Sequence, residues 1–320
     1  MKTIWFGSSC SLTEGLGHLS RCIAIAEEMR IRNFISCFKH LSKFDERGLD
    51  LLRESGFTHL CVCEGKPTLQ IIDSYSSNFI ENCIGEYPKT SILLVDEISP
   101  RVRADYYIEA SPVRDWEPAN KQANIFKFDR NPILRKMFDE PVAQKALSSS
   151  PKKVLVSLGA TKNEFRILDL VIPVLHSLSF FDLKIGIISN NSESNRKLAD
   201  KYAPNLKVLS NVSSLRNLLK DFDFVISGGG VTAWELISLN TPGILIGVVS
   251  NQFEQVKYLQ DHDLRVGLIF QDSSRFQSRL LRKLTEATEE TSLTSKNIKL
   301  RNGREEVVHW ILDVMKYSEM

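Results

Sequence analysis

Short apolar runs recur along the chain, each followed by a polar or glycine-containing turn and then by a stretch of helical spacing. In the first half the strand candidates are Thr3–Gly7, Asn33–Phe38, His59–Cys63, Leu69–Asp73, Ser91–Val95 and Tyr106–Glu109. Between them, Leu19–Arg30 puts Leu19, Cys22, Ile23 and Ala26 on one helical face, and Phe44–Ser55 and Ser76–Ile84 carry weaker helical spacing. Pro141, the serines Ser148, Ser149 and Ser150, and Pro151 then give the stretch Glu140–Lys153 the composition of a linker. Beyond it the alternation restarts, with strands expected at Val154–Ser157, Leu183–Ile188, Leu206–Leu209, Phe224–Ile226, Gly243–Ile246 and Arg265–Ile269. Helices are expected around Ile167–Ser177, Glu193–Tyr202, Ser214–Lys220, Thr232–Leu239 and Phe253–Asp261, with an amphipathic closing helix at Glu305–Met315. Alternation of this kind argues for βα units on mostly parallel sheets. The expected architecture is α/β, with two Rossmann-like domains facing a central cleft. The first spans residues 1–145 and the second 152–320, the last helix being able to cross back.

Composition narrows the picture in three ways. A chain of 320 residues suits two domains of ordinary size. Its 41 basic and 39 acidic side chains nearly cancel, which gives no bulk charge for nucleic acid. No apolar run approaches the roughly 18 residues of a membrane span, and the apolar start is too short for a secretion signal, so a cytoplasmic protein is expected. The six cysteines form no C-x-x-C pair and read as reduced, mostly buried thiols.

Two glycine turns carry the candidate chemistry. Gly15-Leu16-Gly17-His18-Leu19-Ser20-Arg21-Cys22 follows the first strand and sets a histidine at a helix start. There the helix dipole disfavours imidazolium, and a neutral ring can take a proton from water or an alcohol. Gly15 and Gly17 allow a ligand to approach main-chain N–H groups, with Arg21 one turn further on. The second turn, Gly228-Gly229-Gly230-Val231-Thr232, also sits between a strand and a helix, and its N–H groups and the Thr232 hydroxyl suit a diphosphate. No Walker lysine follows and the G-x-G-x-x-G fingerprint is absent, which disfavours phosphoryl transfer and a standard NAD site. Glu235, one turn on, is placed to accept hydrogen bonds from ribose hydroxyls. The amides Asn251 and Gln252 suit sugar hydroxyls or acetamido groups, or cap a helix. Asp73, Tyr75 and Asp96 end apolar runs where α/β sites collect, and either orient a sugar or hold His18.

Together these segments resemble the nucleotide-sugar hydrolases of pseudaminic acid biosynthesis. The likeness rests on G-x-G-H-x-x-R-C at 15–22, D-x-Y at Asp73–Tyr75, the acidic pair Asp96-Glu97 and Ala104-Asp105-Tyr106. It continues through Val156–Thr161, Gly228–Glu235 and Asn251-Gln252. The second half is also similar to the peptidoglycan N-acetylglucosaminyltransferases and other two-domain proteins of the glycosyltransferase-B fold. The resemblance implies removal of UDP from a 2,4-diacetamido-2,4,6-trideoxy sugar with inversion at the anomeric carbon, His18 being the key catalytic residue. It further implies Glu235 on the ribose, Gly229–Thr232 on the diphosphate and Asn251-Gln252 on the sugar or its phosphates. The chain departs from the family's pattern at Trp5–Ser9, where an Arg-x-Asp is usual, at Asp96-Glu97 in place of Asp-Asp, and at Gly159-Ala160 in place of Gly-Gly. Neither an obligatory cation nor a cofactor is expected. The expected partner is a UDP-sugar, with a glycosyltransferase of the same fold as the alternative activity and a nucleotide-sugar binding protein without turnover as the third.

Overall fold

The computed structural model describes residues 2–10, 15–57, 66–86, 90–96, 102–112, 116–140, 153–159, 164–177, 184–188, 197–198, 200–202, 206–210, 212, 215–262, 267–270, 273–289, 300–301 and 303–317. The chain packs as two compact units, Met1–Lys136 with Leu300–Met320, and Met137–Lys299.

In the first unit β1 (Thr3–Ser8), β2 (Ile35–Lys39), β3 (Leu69–Asp73), β4 (Ser91–Val95), β5 (Tyr106–Glu109) and β6 (Asn124–Phe126) form one sheet in the order β2-β1-β3-β4-β5-β6. Every pairing is parallel. Both faces of such a sheet are covered, so β3 and β4 are buried at every position, and β4 reads as a continuous apolar run from Ile92 to Val95. The helices are α1 (Gly17–Ile31), α2 (Glu46–Glu54) and α3 (Ser77–Glu86). Asp45 caps α2 by accepting from the Gly48 N–H at 3.1 Å.

The second unit holds β7 (Lys153–Ser157), β8 (Lys184–Ile188), β9 (Leu206–Leu209), β10 (Phe224–Gly228), β11 (Gly243–Gly247) and β12 (Gly267–Ile269). Their order is β12-β11-β10-β7-β8-β9, again all parallel, which is the doubly wound Rossmann order. Its helices are α4 (Glu164–Ser177), α5 (Leu215–Leu219), α6 (Val231–Ser238), α7 (Ser250–Asp261) and α8 (Ser273–Glu289), while α9 (Gly303–Tyr317) belongs to the first unit. Among the described residues no helix is long and apolar enough to cross a membrane.

Several expectations are corrected or completed here. β6 and α8 were not anticipated: β6 is three residues of an edge strand, and α8 is a mostly solvated helix with few apolar positions. The expected strand His59–Cys63, the Ala160 and Glu97 positions and most of the linker lie outside the described residues. α1 is buried on nearly all sides rather than on one face, because α2 and α9 cover the side turned away from the sheet. α9 packs against α1, the alternative left open when 152–320 was read as one domain. Arg304, 2 % exposed, ties the two helices by donating to Glu28 Oε2 at 3.1 Å and to the Leu134 carbonyl at 2.9 Å. The reading of six reduced cysteines is also corrected. Cys10, Cys22 and Cys83 are free and buried, but Cys37 on β2 is disulfide-bonded.

Candidate functional site

In open parallel sheets, ligands bind beyond the carboxyl ends of the strands where the strand order reverses. In the first unit that point lies between β1 and β3, and the candidate residues gather there. His18 is the second residue of α1, reached directly from β1 through Gly15, which has φ +77°. Asp73 is the last residue of β3, in register with Ser8. Asp96 follows β4, and Tyr75 follows β3 by two residues.

These side chains form one cluster. His18 Nδ1 lies 2.5 Å from Asp73 Oδ1. Arg21, one helical turn beyond His18, donates from Nε to Asp73 Oδ2 and from one terminal nitrogen to Asp73 Oδ1, both at 2.8 Å. Its other terminal nitrogen donates to Asp96 Oδ2 at 2.6 Å. Tyr75 stands edge-on to the His18 ring at 4.2 Å, and its hydroxyl donates to Asp96 Oδ2 at 3.3 Å. His18 is 2 %, Arg21 4 % and Asp73 1 % exposed, whereas Tyr75 is 39 % exposed. Burial alone would push the Asp73 carboxyl up. The charges of Arg21 and His18 and their hydrogen bonds outweigh it and hold Asp73 down at about 2. Burial likewise opposes the charge of Arg21, yet the carboxylates of Asp73 and Asp96 raise it well above its ordinary value. Asp73 is therefore an anion at neutral pH and Arg21 a cation.

His18 Nδ1 also lies 2.9 Å from an Arg21 terminal nitrogen, and it cannot both donate to Asp73 and accept from Arg21. The anionic oxygen at 2.5 Å decides the matter, since an unprotonated Nδ1 would point its lone pair at a carboxylate. Nδ1 thus carries the hydrogen. Nε2 is buried and has no hydrogen-bond partner among the described residues. Cys22, on the same helix, is no nucleophile: burial first, and then the Asp73 charge, push its thiol well up. Arg21 and Asp73 were expected to bind substrate, but their polar atoms are spent on each other, on Asp96 and on His18.

In the second unit the glycine turn lies at the corresponding reversal, between β7 and β10. A Cβ on Gly228 would come within 2.5 Å of the Leu158 carbonyl oxygen, and one on Gly229 within 2.4 Å of Val256 Cγ2. Both are glycines because the turn packs against the β7 exit and α7. Gly230 is different. Its φ is −87°, and a Cβ there meets nothing closer than Gln252 Nε2 at 3.6 Å. Its own chain does not require a glycine, so the space beside it is open to a ligand approaching the start of α6. Val231 and Thr232 are half-buried in the first turn, and Glu235 is buried at 8 % exposure.

The amides of α7 brace this turn. Gln252 Oε1 accepts from the Gly229 N–H at 3.2 Å and the Val248 N–H at 3.1 Å. Gln255, which the sequence reading missed, donates to the Gly229 and Gly230 carbonyls, the latter at 2.7 Å. The signal was present as spacing, since residues 252 and 255 share one face of a helix. Val249, not Asn251 or Gln252, occupies the α7 cap position, with no side-chain capping bond. The Gln252 oxygen expected on a sugar is therefore engaged with the backbone.

No family model matches the chain. It is 21 % identical over 262 residues to the uncharacterized protein MJ1062 of Methanocaldococcus jannaschii, a match covering 74 % of this chain and 54 % of that protein. The chain thus spans about half the length of the curated relative it matches. Among solved structures it is similar to an S. aureus MnaA–UDP complex, with TM-score 0.63 and 10 % identity over 99 % of this chain and 96 % of that one. It is also similar to the spinosyn rhamnosyltransferase SpnG, with TM-score 0.61 and 12 % identity over 99 % and 100 % of the two chains. The UDP-GlcNAc 2-epimerase of Neisseria meningitidis bound to UDP-GlcNAc matches with TM-score 0.55 and 10 % identity over 98 % and 100 %. At these identities the likeness is one of fold, and the fold is glycosyltransferase-B.

Proposed function

We propose that the chain is an enzyme that hydrolyses a UDP-linked amino sugar of the 2,4-diacetamido-2,4,6-trideoxyhexose class, in the making of a nonulosonic acid or another surface polysaccharide sugar. The observation that carries the reading is the buried His18–Asp73 pair at a strand-order reversal, with Nε2 left without a partner among the described residues. The fold is shared with a rhamnosyltransferase, a UDP complex and a UDP-GlcNAc complex, which supports a nucleotide sugar as the ligand.

In this reading water attacks the anomeric carbon, and His18 Nε2 takes its proton as the C–O bond forms. The bond from that carbon to the UDP oxygen breaks, and its electron pair leaves on the diphosphate. Attack opposite the leaving group inverts the anomeric configuration. Asp73 steadies the imidazolium through Nδ1–H, and general-base assistance of this kind is worth ~10²–10⁴-fold. The N–H groups at the start of α6 offset the charge growing on UDP, with Gly230 admitting the diphosphate and Glu235 serving the ribose. Tyr75, the exposed member of the cluster, is the side chain of the first unit that meets the sugar.

The second reading is an inverting glycosyltransferase in which an acceptor hydroxyl replaces water, favoured by the fold match to a rhamnosyltransferase. Incubation with a panel of UDP-diacetamido sugars in the absence of acceptor separates the two. Hydrolysis gives steady release of free sugar. A donor that persists until an acceptor is added overturns it in favour of transfer.

A further inference from the structure

Arg21 lies wholly inside the first unit, and all three of its guanidinium nitrogens are used. Two take both oxygens of Asp73 in a fork, and the third reaches Asp96, itself bonded to Tyr75. Such a fork fixes both the distance and the plane of a carboxylate. Here it places Asp73 Oδ1 2.5 Å from His18 Nδ1. A lysine would supply the same charge without the plane. The guanidinium also stands 2.9 Å from Nδ1, so if the carboxylate turned away, Arg21 itself would donate to Nδ1 and move the ring proton to Nε2. That tautomer offers a donor where a base is required.

We infer that Arg21 is a positioning residue: anchored on Asp96, it holds the Asp73 carboxylate in the one orientation that keeps the His18 proton on Nδ1 and leaves Nε2 as the base. The inference rests on the reading of His18 as general base, and it assigns Arg21 no contact with substrate. It also explains why a costly buried charge stands one turn behind the histidine when neither end of it is free to bind a ligand.

The test uses the full chain labelled with ¹⁵N-histidine, the His18 resonances being assigned by their loss in His18→Gln. Long-range ¹H–¹⁵N spectra of the substrate-free protein are expected to show Nδ1 protonated and Nε2 bare. In Arg21→Lys, with its far-UV circular dichroism unchanged, the Nε2–H form is expected to appear. On the UDP-amino sugar turned over by the wild type, kcat should fall on the order of 100-fold with KM little changed, as for a misplaced general base. Should Arg21→Lys not fold, Asp96→Asn removes the anchor without changing side-chain shape, and the same redistribution of the ring proton is expected at smaller amplitude. A wild-type ring protonated at Nε2, or variants that keep the wild-type tautomer and kcat, overturns the inference. The tautomer is read without substrate, so Nδ1 protonation together with no turnover of any UDP-sugar would overturn the hydrolase reading alone.

Discussion

The two glycine turns occupy equivalent places in two similar sheets, yet they are built on opposite principles. In the first unit the turn delivers a histidine into a closed network of buried charge, every member tied to the next by a side chain. In the second unit no charge is buried in the turn, and amide side chains hold its backbone while Gly230 leaves an open face. The difference suits two tasks. A base needs one proton position fixed, which ionic forks supply. A diphosphate needs bare N–H groups and room, which glycines braced from behind supply.

The comparison breaks most readily at His18. His18→Gln keeps the size and polarity of the side chain but removes the base, and release of free sugar is expected to fall by ~10²–10⁴-fold. UDP affinity, measured by calorimetry, should change little, because the proposed function assigns the nucleotide to the glycine turn at α6. An unchanged rate would reduce the buried network to a packing device.

A structural control comes from the other buried ion pair of the first unit. Arg304→Met removes the partner that joins Glu28 to α9 but leaves Glu28 its pair with Arg32, so it should cost less than the ~3 kcal/mol of a fully orphaned buried charge in chemical denaturation, without altering the His18 tautomer. If it does alter the tautomer, charge burial in this unit is a single scaffold and the site has no separate network.

The glycine turn is sharpened by two neighbouring changes of identical chemistry. Gly229→Ala meets Val256 and the Gln252 carbonyl, and should destabilise by ~1–3 kcal/mol through overpacking. Gly230→Ala should leave the melting temperature nearly unchanged and weaken UDP binding. The opposite pattern would mean that Gly230 serves the fold and not a ligand.

Acid provides the smallest effect. Asp73 is held at about 2, below its ordinary 3.8, so its contribution to stability is complete above pH ~4 and is lost as pH falls toward ~2. In Asp73→Asn that part of the acid-unfolding profile should disappear.

Most strands were legible because parallel strands covered on both faces are largely apolar runs, as from Ile92 to Val95 in β4. β6 was not, since a three-residue edge strand carries little periodicity, and α8 was missed although Phe276, Leu280 and Leu284 recur at helical spacing on its buried face. The site was legible as residue types at strand exits: His18, Arg21, Asp73, Tyr75 and Asp96 were all marked before any contact between them was known. What spacing did not carry was their division of labour. Nothing in the order of Arg21 and Asp73 says that each satisfies the other, and the bracing by Gln255 depends on α7 lying behind the turn. Hydrogen-bond partners distant in sequence are set by sheet order, which local pattern does not encode.

The most direct test of the central claim is turnover of the UDP-diacetamido sugar in H₂¹⁸O without acceptor, followed by NMR and mass spectrometry. Attack at carbon by a water that His18 activates predicts one ¹⁸O on the anomeric oxygen of an inverted free sugar, unlabelled UDP, and near-complete loss of both products in His18→Gln. Label in the released nucleotide, or undiminished labelling of the sugar in His18→Gln, would contradict it.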